Sequence, residues 1–340
     1  MTPTLSIRES VIDYCAKIGA DSMLVQGAGG NVSWKDGDTL WVKASGTWLA
    51  DAKTKEIFVP VDLADLRTAI DAGNFAAVPK LKCASHLRPS IETMLHALMP
   101  QRVVVHVHAV EALAYLVRAN AALEISDKLQ SLSSWSQVGY QKPGEALASA
   151  VAEKLKDAPG TQMLLLENHG LVIGGADVEN VSDQLTKLLS LLACPQANPQ
   201  PVSSAPTPQT LDIGQEFSPF DIPGIHKLAV EPYLFDRVNN DWALYPDHVV
   251  FLGHKAHCYE SILVFKQDLI NKVKPELVFI KDHGVFAKSG FSIAKIAQLQ
   301  CYFDVIIRQP VNIQLKTLTD DDIAQLLDWD AERYRQNIAA

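Results

Sequence analysis

Two stretches of this chain run to the same plan: Met163-Leu-Leu-Leu-Glu-Asn-His169-Gly170-Leu-Val and Leu277-Val-Phe-Ile-Lys-Asp-His283-Gly284-Val-Phe. Each opens on an apolar run of strand length, and the glycine after the histidine supplies the freedom a sharp turn needs. A helical period comes after both, from Asp177 to Leu192 and from Ile293 to Ile307. This order predicts an α/β fold whose second half is a degenerate structural repeat of part of the first. Between the copies, Cys194 to Gly224 reads CPQANPQPVSSAPTPQTLDIGQEFSPFDIPG. Proline at that density removes backbone donors and blocks helix and central strand alike, which makes the segment a linker. Phe217 and Phe220 are expected to pin its end onto the surface. The expected organisation is a first domain over 1–193, the linker at 194–224 and a second α/β half over 225–340.

Local signals fill in the first half. Ser6 to Ala20 carries Ile7, Val11, Ile12 and Cys15 at helical spacing behind a Ser-x-x-Glu start, and Gly19 ends it. Thr39 to Lys43 alternates like a strand; Ser90 to Leu98 reads as a helix stopped at Pro100; Val103 to Val107 is a short apolar strand. Three aspartates from Asp320 begin a surface helix expected to pack through Ile323, Leu326, Leu327 and Trp329.

Composition removes several classes of function. With a net charge of −9 and no Lys/Arg stripe, a nucleic-acid footprint is absent, so an anionic substrate must be held by local donors. The five cysteines (Cys15, Cys83, Cys194, Cys258, Cys301) show no C-x-x-C spacing, which fits buried thiols in a reducing compartment. Arg8, Glu9, Asp13 and Lys17 interrupt any signal-peptide core, and no apolar run approaches the ~20 residues of a membrane span. The expectation is a cytoplasmic protein with no membrane partner.

The chemistry-bearing residues centre on Val103-Val-Val-His106-Val107-His108. Side chains two apart on a strand share a face, so both imidazoles point one way while Val107 faces the core. That pair suits zinc or a similar first-row ion, and equally suits two solvated histidines on a half-exposed strand. His169, at the end of a strand and before Gly170, is a third candidate ligand; three histidines with one open position is a catalytic zinc arrangement. Glu92, at the start of the helix before the His-x-His strand, is the candidate acid/base, with helix-start stabilisation as its plainer role. Arg88 and His96 read as surface or packing residues. Gln26-Gly-Ala-Gly29-Gly30-Asn31-Val-Ser33 lacks the spacing of a dinucleotide or Walker loop but leaves amides free for an anion. Lys43-Ala-Ser45-Gly46-Thr47 offers a hydroxyl, an amide and a cation.

In order, Gly30-Asn31-Val32-Ser33, Ser45-Gly46, Pro89-Ser90-x-Glu92, His106-x-His108-Ala109 and Asn168-His169-Gly170 resemble the class II aldolase/adducin family over roughly Ser6 to Leu192. The resemblance implies an α/β/α sandwich around a mainly antiparallel sheet. It implies zinc, or another divalent first-row metal, on His106, His108 and His169, with Glu92 as acid/base. Gly30, Asn31, Ser45, Gly46 and Ser90 would hold a substrate phosphate or its equivalent. A homo-oligomer is implied as well. The second half is similar to that of long members whose aldolase part is fused to a short-chain dehydrogenase, a segment not seen in these residues. Ile91 stands where sugar-phosphate aldolases usually carry a second hydroxyl, which weakens the phosphate assignment. His283 has no His-x-His partner, and His248, His254 and His257 share no strand face, so the second half reads as structural.

The function expected is that of a metal-dependent lyase, an aldolase cleaving a carbon–carbon bond of a sugar phosphate or sugar acid through a zinc-stabilised enediolate. An epimerase or decarboxylase on the same scaffold, or a non-catalytic adducin-like interaction module, are the alternatives.

Overall fold

A computed structural model describes residues 6–197, 216–271 and 274–339; most of the proline-rich linker, 198–215, lies outside the described residues. The first half is built on seven strands: β1 (Asn31–Asp36), β2 (Thr39–Lys43), β3 (Phe58–Asp62), β4 (Val103–Val107), β5 (Trp135–Val138), β6 (Met163–Leu166) and β7 (Gly170–Gly175). They form one sheet in the order β3-β2-β1-β4-β7-β6-β5, antiparallel throughout except for the β5–β6 pair at the edge. Alternation along β4 feeds both faces. Val103, Val105 and Val107 pack with Cys15, Ala112, Val181 and Leu185 on one side. Val104 packs with Leu95, Leu147 and Val151 on the other. Helices therefore cover both faces, as an α/β/α sandwich requires.

The second half carries β8 (Phe217–Pro219), β9 (Cys258–Tyr259), β10 (Leu277–Ile280) and β11 (Gly284–Lys288) in the order β8-β11-β10-β9. The β8–β11 and β11–β10 pairs are antiparallel and β10–β9 is parallel. Strand for strand, this is the pairing of β4-β7-β6-β5. Both hairpins turn through a non-glycine residue with positive φ, Asn168 at 51° and Asp282 at 59°. The sequence repeat is thus also a repeat of topology, and its degeneracy has a location: β8 reads FSP where β4 reads VVVHV.

Several expectations shift. The helix expected from Ser90 begins at Thr93, because the preceding residues are tied to the end of β2: Ser90 N–H donates to Lys43 O at 3.1 Å and Ser45 N–H to Arg88 O at 2.9 Å. Phe217 and Phe220 are not surface pins. Phe217 packs with Phe265 and Val278, and Phe220 joins the main core of the second half. The tail is two helices, Asp320–Leu327 and Asp330–Ala339, where the sequence predicts only the first. The second, DAERYRQNIA, hides Glu332, Arg335 and Ala339, so it shows no apolar period to read.

The halves share a core in which Val110, Leu113 and Val117 meet Leu244, Tyr302 and Val305. Asn168 stitches them together, its Nδ2 donating to Leu244 O at 2.8 Å and Lys316 O at 2.6 Å. Losing the bond to Leu244 O would leave a buried carbonyl unpaired, at about 1–3 kcal/mol. Among the described residues no helix is long and apolar enough to cross a membrane, and the five cysteines are free thiols.

Candidate metal centre

His106 stands on β4 directly opposite Asn31 of β1 and Val172 of β7. His108 comes just past the strand, and His169 enters from the β6–β7 turn. That turn can approach β4 only because Gly170 has no side chain. A Cβ there would lie 2.5 Å from Val107 O and 3.1 Å from His108 Cδ2, and its φ of 158° also disfavours one. The outcome is three buried imidazoles whose ligand nitrogens lie within 4.8 Å of one another. His106 Nδ1 donates to Leu171 O at 2.9 Å, so its Nε2 carries a lone pair toward the cluster. The Nε2 atoms of His106 and His108 face each other at 3.1 Å. Tetrahedral zinc with Zn–N of about 2.0–2.1 Å needs nitrogens about 3.3 Å apart.

Glu92 occupies the N-cap position of the helix Thr93–Leu98, yet its side chain makes no cap bond. It turns instead into the histidine cluster. Its Oε2 lies 3.4 Å from His106 Nε2 and its Oε1 3.4 Å from His169 Nε2. Asn31 Nδ2 donates to Oε2 at 2.8 Å, while Oε1 is buried with no hydrogen-bond partner. Burial pushes the Glu92 carboxyl up, but the facing histidines and the Asn31 bond outweigh it and hold it at about 2. Burial likewise keeps two of the imidazoles neutral, lowering His169 to about 3 and His106 in the same direction. Neutral imidazoles beside an ionised carboxylate with an orphaned oxygen are the donor set a divalent cation takes.

His96 is more than the surface or packing residue expected. It is fully buried; its Nε2 meets Asn31 Oδ1 and its Nδ1 pairs with Ser33 Oγ at 2.7 Å. It fixes the amide that fixes Glu92. The readable signal is its spacing, four residues past Glu92 on one helical face. Arg88 is exposed as expected, its guanidinium 4.4 Å from the Tyr334 ring centre.

The two glycine turns and Ser90 reach the same place. Gly30, Asn31, Ser45, Gly46, Ser90 and Ile91 line one cavity with Glu92, His108 and His169. Lys43 is a buried part of its wall, its Nζ donating to Thr47 O at 2.7 Å and Ala28 O at 3.3 Å; burial lowers that amine to about 7. Lys43 therefore ties the turns together.

The second half, read from sequence as structural, closes this cavity. Pro246, Asp247, Glu332 and Arg335 complete its lining. A Cβ on Gly46 would lie 2.6 Å from Ile338 Cβ and 2.9 Å from Arg335 O, so the C-terminal helix rests directly on that turn. The space left in it is about 20 Å³, room for about one water.

Residues 9–193, more than half of the chain, match the family described as Class II Aldolase and Adducin N-terminal domain, and the chain belongs to that family. Among its relatives, the "Uncharacterized oxidoreductase YuxG" of Bacillus subtilis (strain 168) is 31% identical over 178 residues, 48% of this chain. The chain spans only 25% of that protein's length. A "Methylthioribulose-1-phosphate dehydratase" of Enterobacter sp. (strain 638) is 29% identical over 212 residues, covering 57% of this chain and 95% of that protein. Among solved structures, the N-terminal class II aldolase domain of a conserved protein from Thermoplasma acidophilum aligns at 26% identity with a TM-score of 0.47. That alignment covers 56% of this chain and 94% of the other.

Proposed function

We propose that this chain is a metal-dependent lyase that cleaves a carbon–carbon bond of a sugar phosphate or sugar acid next to its carbonyl. His106, His108 and His169 would hold a divalent first-row cation, zinc foremost, and Glu92 would move the proton. The observation that carries this reading is the Glu92 carboxylate, buried between two of the histidines with Oε1 unpartnered. A divalent cation there supplies Lewis-acid polarisation of a substrate carbonyl. In the cleavage direction Glu92 would take the proton of the hydroxyl on the far carbon as the bond breaks and return it through Oε1 to the carbon beside the carbonyl, while Asn31 holds Oε2. The amides of Gly30 and Gly46, the Asn31 amide and the hydroxyls of Ser45 and Ser90 would grip the anionic end of the substrate. A sugar-sized molecule is larger than the about 20 Å³ the cavity holds as it stands.

Dehydration is the second reading, favoured by the relative covered over 95% of its length, whose name is that of a dehydratase. A base beside a polarised carbonyl can start either reaction. An adducin-like interaction role gives no reason for a buried carboxylate among three histidines.

Product masses decide. Carbon–carbon cleavage gives two smaller carbonyl fragments, dehydration one product lighter by a water, and epimerisation no change in mass. Purified protein should carry about one zinc-like ion per chain by elemental analysis. His108→Ala should lose that ion; Glu92→Gln should keep it while turnover falls about 10²–10⁴-fold. Protein that cannot be loaded with zinc, cobalt or manganese would refute the reading.

A further inference from the structure

We propose that Asp247, from the second half of the chain, is a positioning residue for the metal centre, orienting His108 through its Nδ1. The inference rests on the metal reading above. With a cation on His108 Nε2, which faces His106 Nε2 at 3.1 Å, Nδ1 would be the nitrogen that carries the hydrogen. A ligating imidazole needs an acceptor behind it to fix tautomer and ring plane; His106 has Leu171 O. Behind His108 stands Asp247 Oδ2, 3.3 Å from Nδ1. The contact is an ion-pair approach not yet aligned as a hydrogen bond, and His108 Nδ1 has no other partner among the described residues.

Everything around Asp247 holds its carboxylate in place. It sits in the first turn of the helix Pro246–Leu252 and is 3% exposed. Arg335 grips it with both guanidinium nitrogens, Nη1 to Oδ1 at 2.6 Å and Nη2 to Oδ2 at 2.7 Å. Gln298 Nε2 adds a bond to Oδ2 at 3.3 Å, and Glu332 steadies Arg335 at 3.3 Å. The facing turn leaves room, because a Cβ on Gly29 would fall 2.9 Å from Asp247 Oδ2 and 3.0 Å from His108 Nδ1. A buried ion pair is a poor source of stability, since desolvation cancels much of its attraction. Its placement against one ligand nitrogen gives it a purpose that stability alone does not. Asp247 and Arg335 both lie outside the family-matched residues 9–193, so on this reading the family domain does not complete its own metal site.

The test measures zinc affinity of the full-length protein by competition with a chromophoric chelator, alongside the visible absorption of the cobalt-loaded form. Asp247→Ala should weaken zinc by about 10–100-fold and shift the cobalt bands. Asp247→Asn, whose amide oxygen can still accept from Nδ1–H, should recover part of that loss. A clamp that merely joined the halves would lower the urea midpoint of both variants while leaving zinc affinity and cobalt bands as in wild type, which overturns the proposal. If Asp247→Ala fails to fold, Asp247→Asn decides by the same two readouts. Wild-type protein that takes up no metal overturns this inference together with the metal reading; normal wild-type loading with unchanged variants overturns this inference alone.

Discussion

His248→Phe should make the protein markedly more tolerant of acid. His248 neighbours Asp247 on the helix Pro246–Leu252 and is fully buried. Its ring centre lies 4.2 Å from that of Trp242 and 4.7 Å from that of Tyr302. Leu244 N–H points at its Nδ1 from 3.4 Å, which places the ring hydrogen on Nε2, and that atom has no partner. A second proton would put a charge into an aromatic cage, so burial lowers the ring from 6.5 to about 3. Within that window the unfolded chain binds a proton that the native chain refuses. Stability is therefore intact above pH 6.5 and is lost as pH falls toward 3. Linkage gives a loss of about 3 kcal/mol between about pH 7.5 and about pH 4.5, and about 5 kcal/mol in the acid limit. Phenylalanine keeps the ring contacts and cannot protonate. In urea unfolding at those two pH values, wild type should lose about 3 kcal/mol more than the variant. The buried His96 and His169 titrate in both proteins and cancel from the difference. Parallel pH dependences would refute the account of a ring held neutral by burial.

The site itself leads to two further outcomes. Inorganic phosphate or a sugar phosphate should raise the melting temperature of wild type, and Asn31→Ala should abolish that protection because it removes a pocket donor and frees Glu92 Oε2; protection by sugar acids alone would make the substrate end group a carboxylate. His283→Ala should leave the zinc content of the purified protein unchanged, because β8 brings no histidine beside it and its Nδ1 is spent on Lys281 O at 2.7 Å. Its stability loss should be about 1 kcal/mol, and elemental analysis showing loss of metal from a folded variant would contradict the view that the second copy holds none.

Local backbone periodicity is the part of this protein that its sequence determined unaided. Alternation along VVVHV, continued one residue past the strand, predicts His106 and His108 on one face because the two-residue period is built into extended backbone. The twin hairpins are legible for the same reason: apolar runs of strand length broken at Asn-His-Gly and Asp-His-Gly can do little else. The family domain, its histidines and Glu92 are readable because their motifs fall in a fixed order. Where the helix after Ser90 starts was decided by long-range pairing with the β2 end, which no local propensity reports. The approach of His169 to the pair depends on β7 lying beside β4, with Leu171 opposite Val107. The cover over the site was least legible. The helix carrying Arg335 buries charge rather than apolar surface, and such burial is stable only against partners supplied from elsewhere, here Asp247 and the Gly46 turn. Sequence patterns record which face of an element is apolar; they do not record which distant charge makes a polar face worth burying, and that was settled only when the two halves packed together.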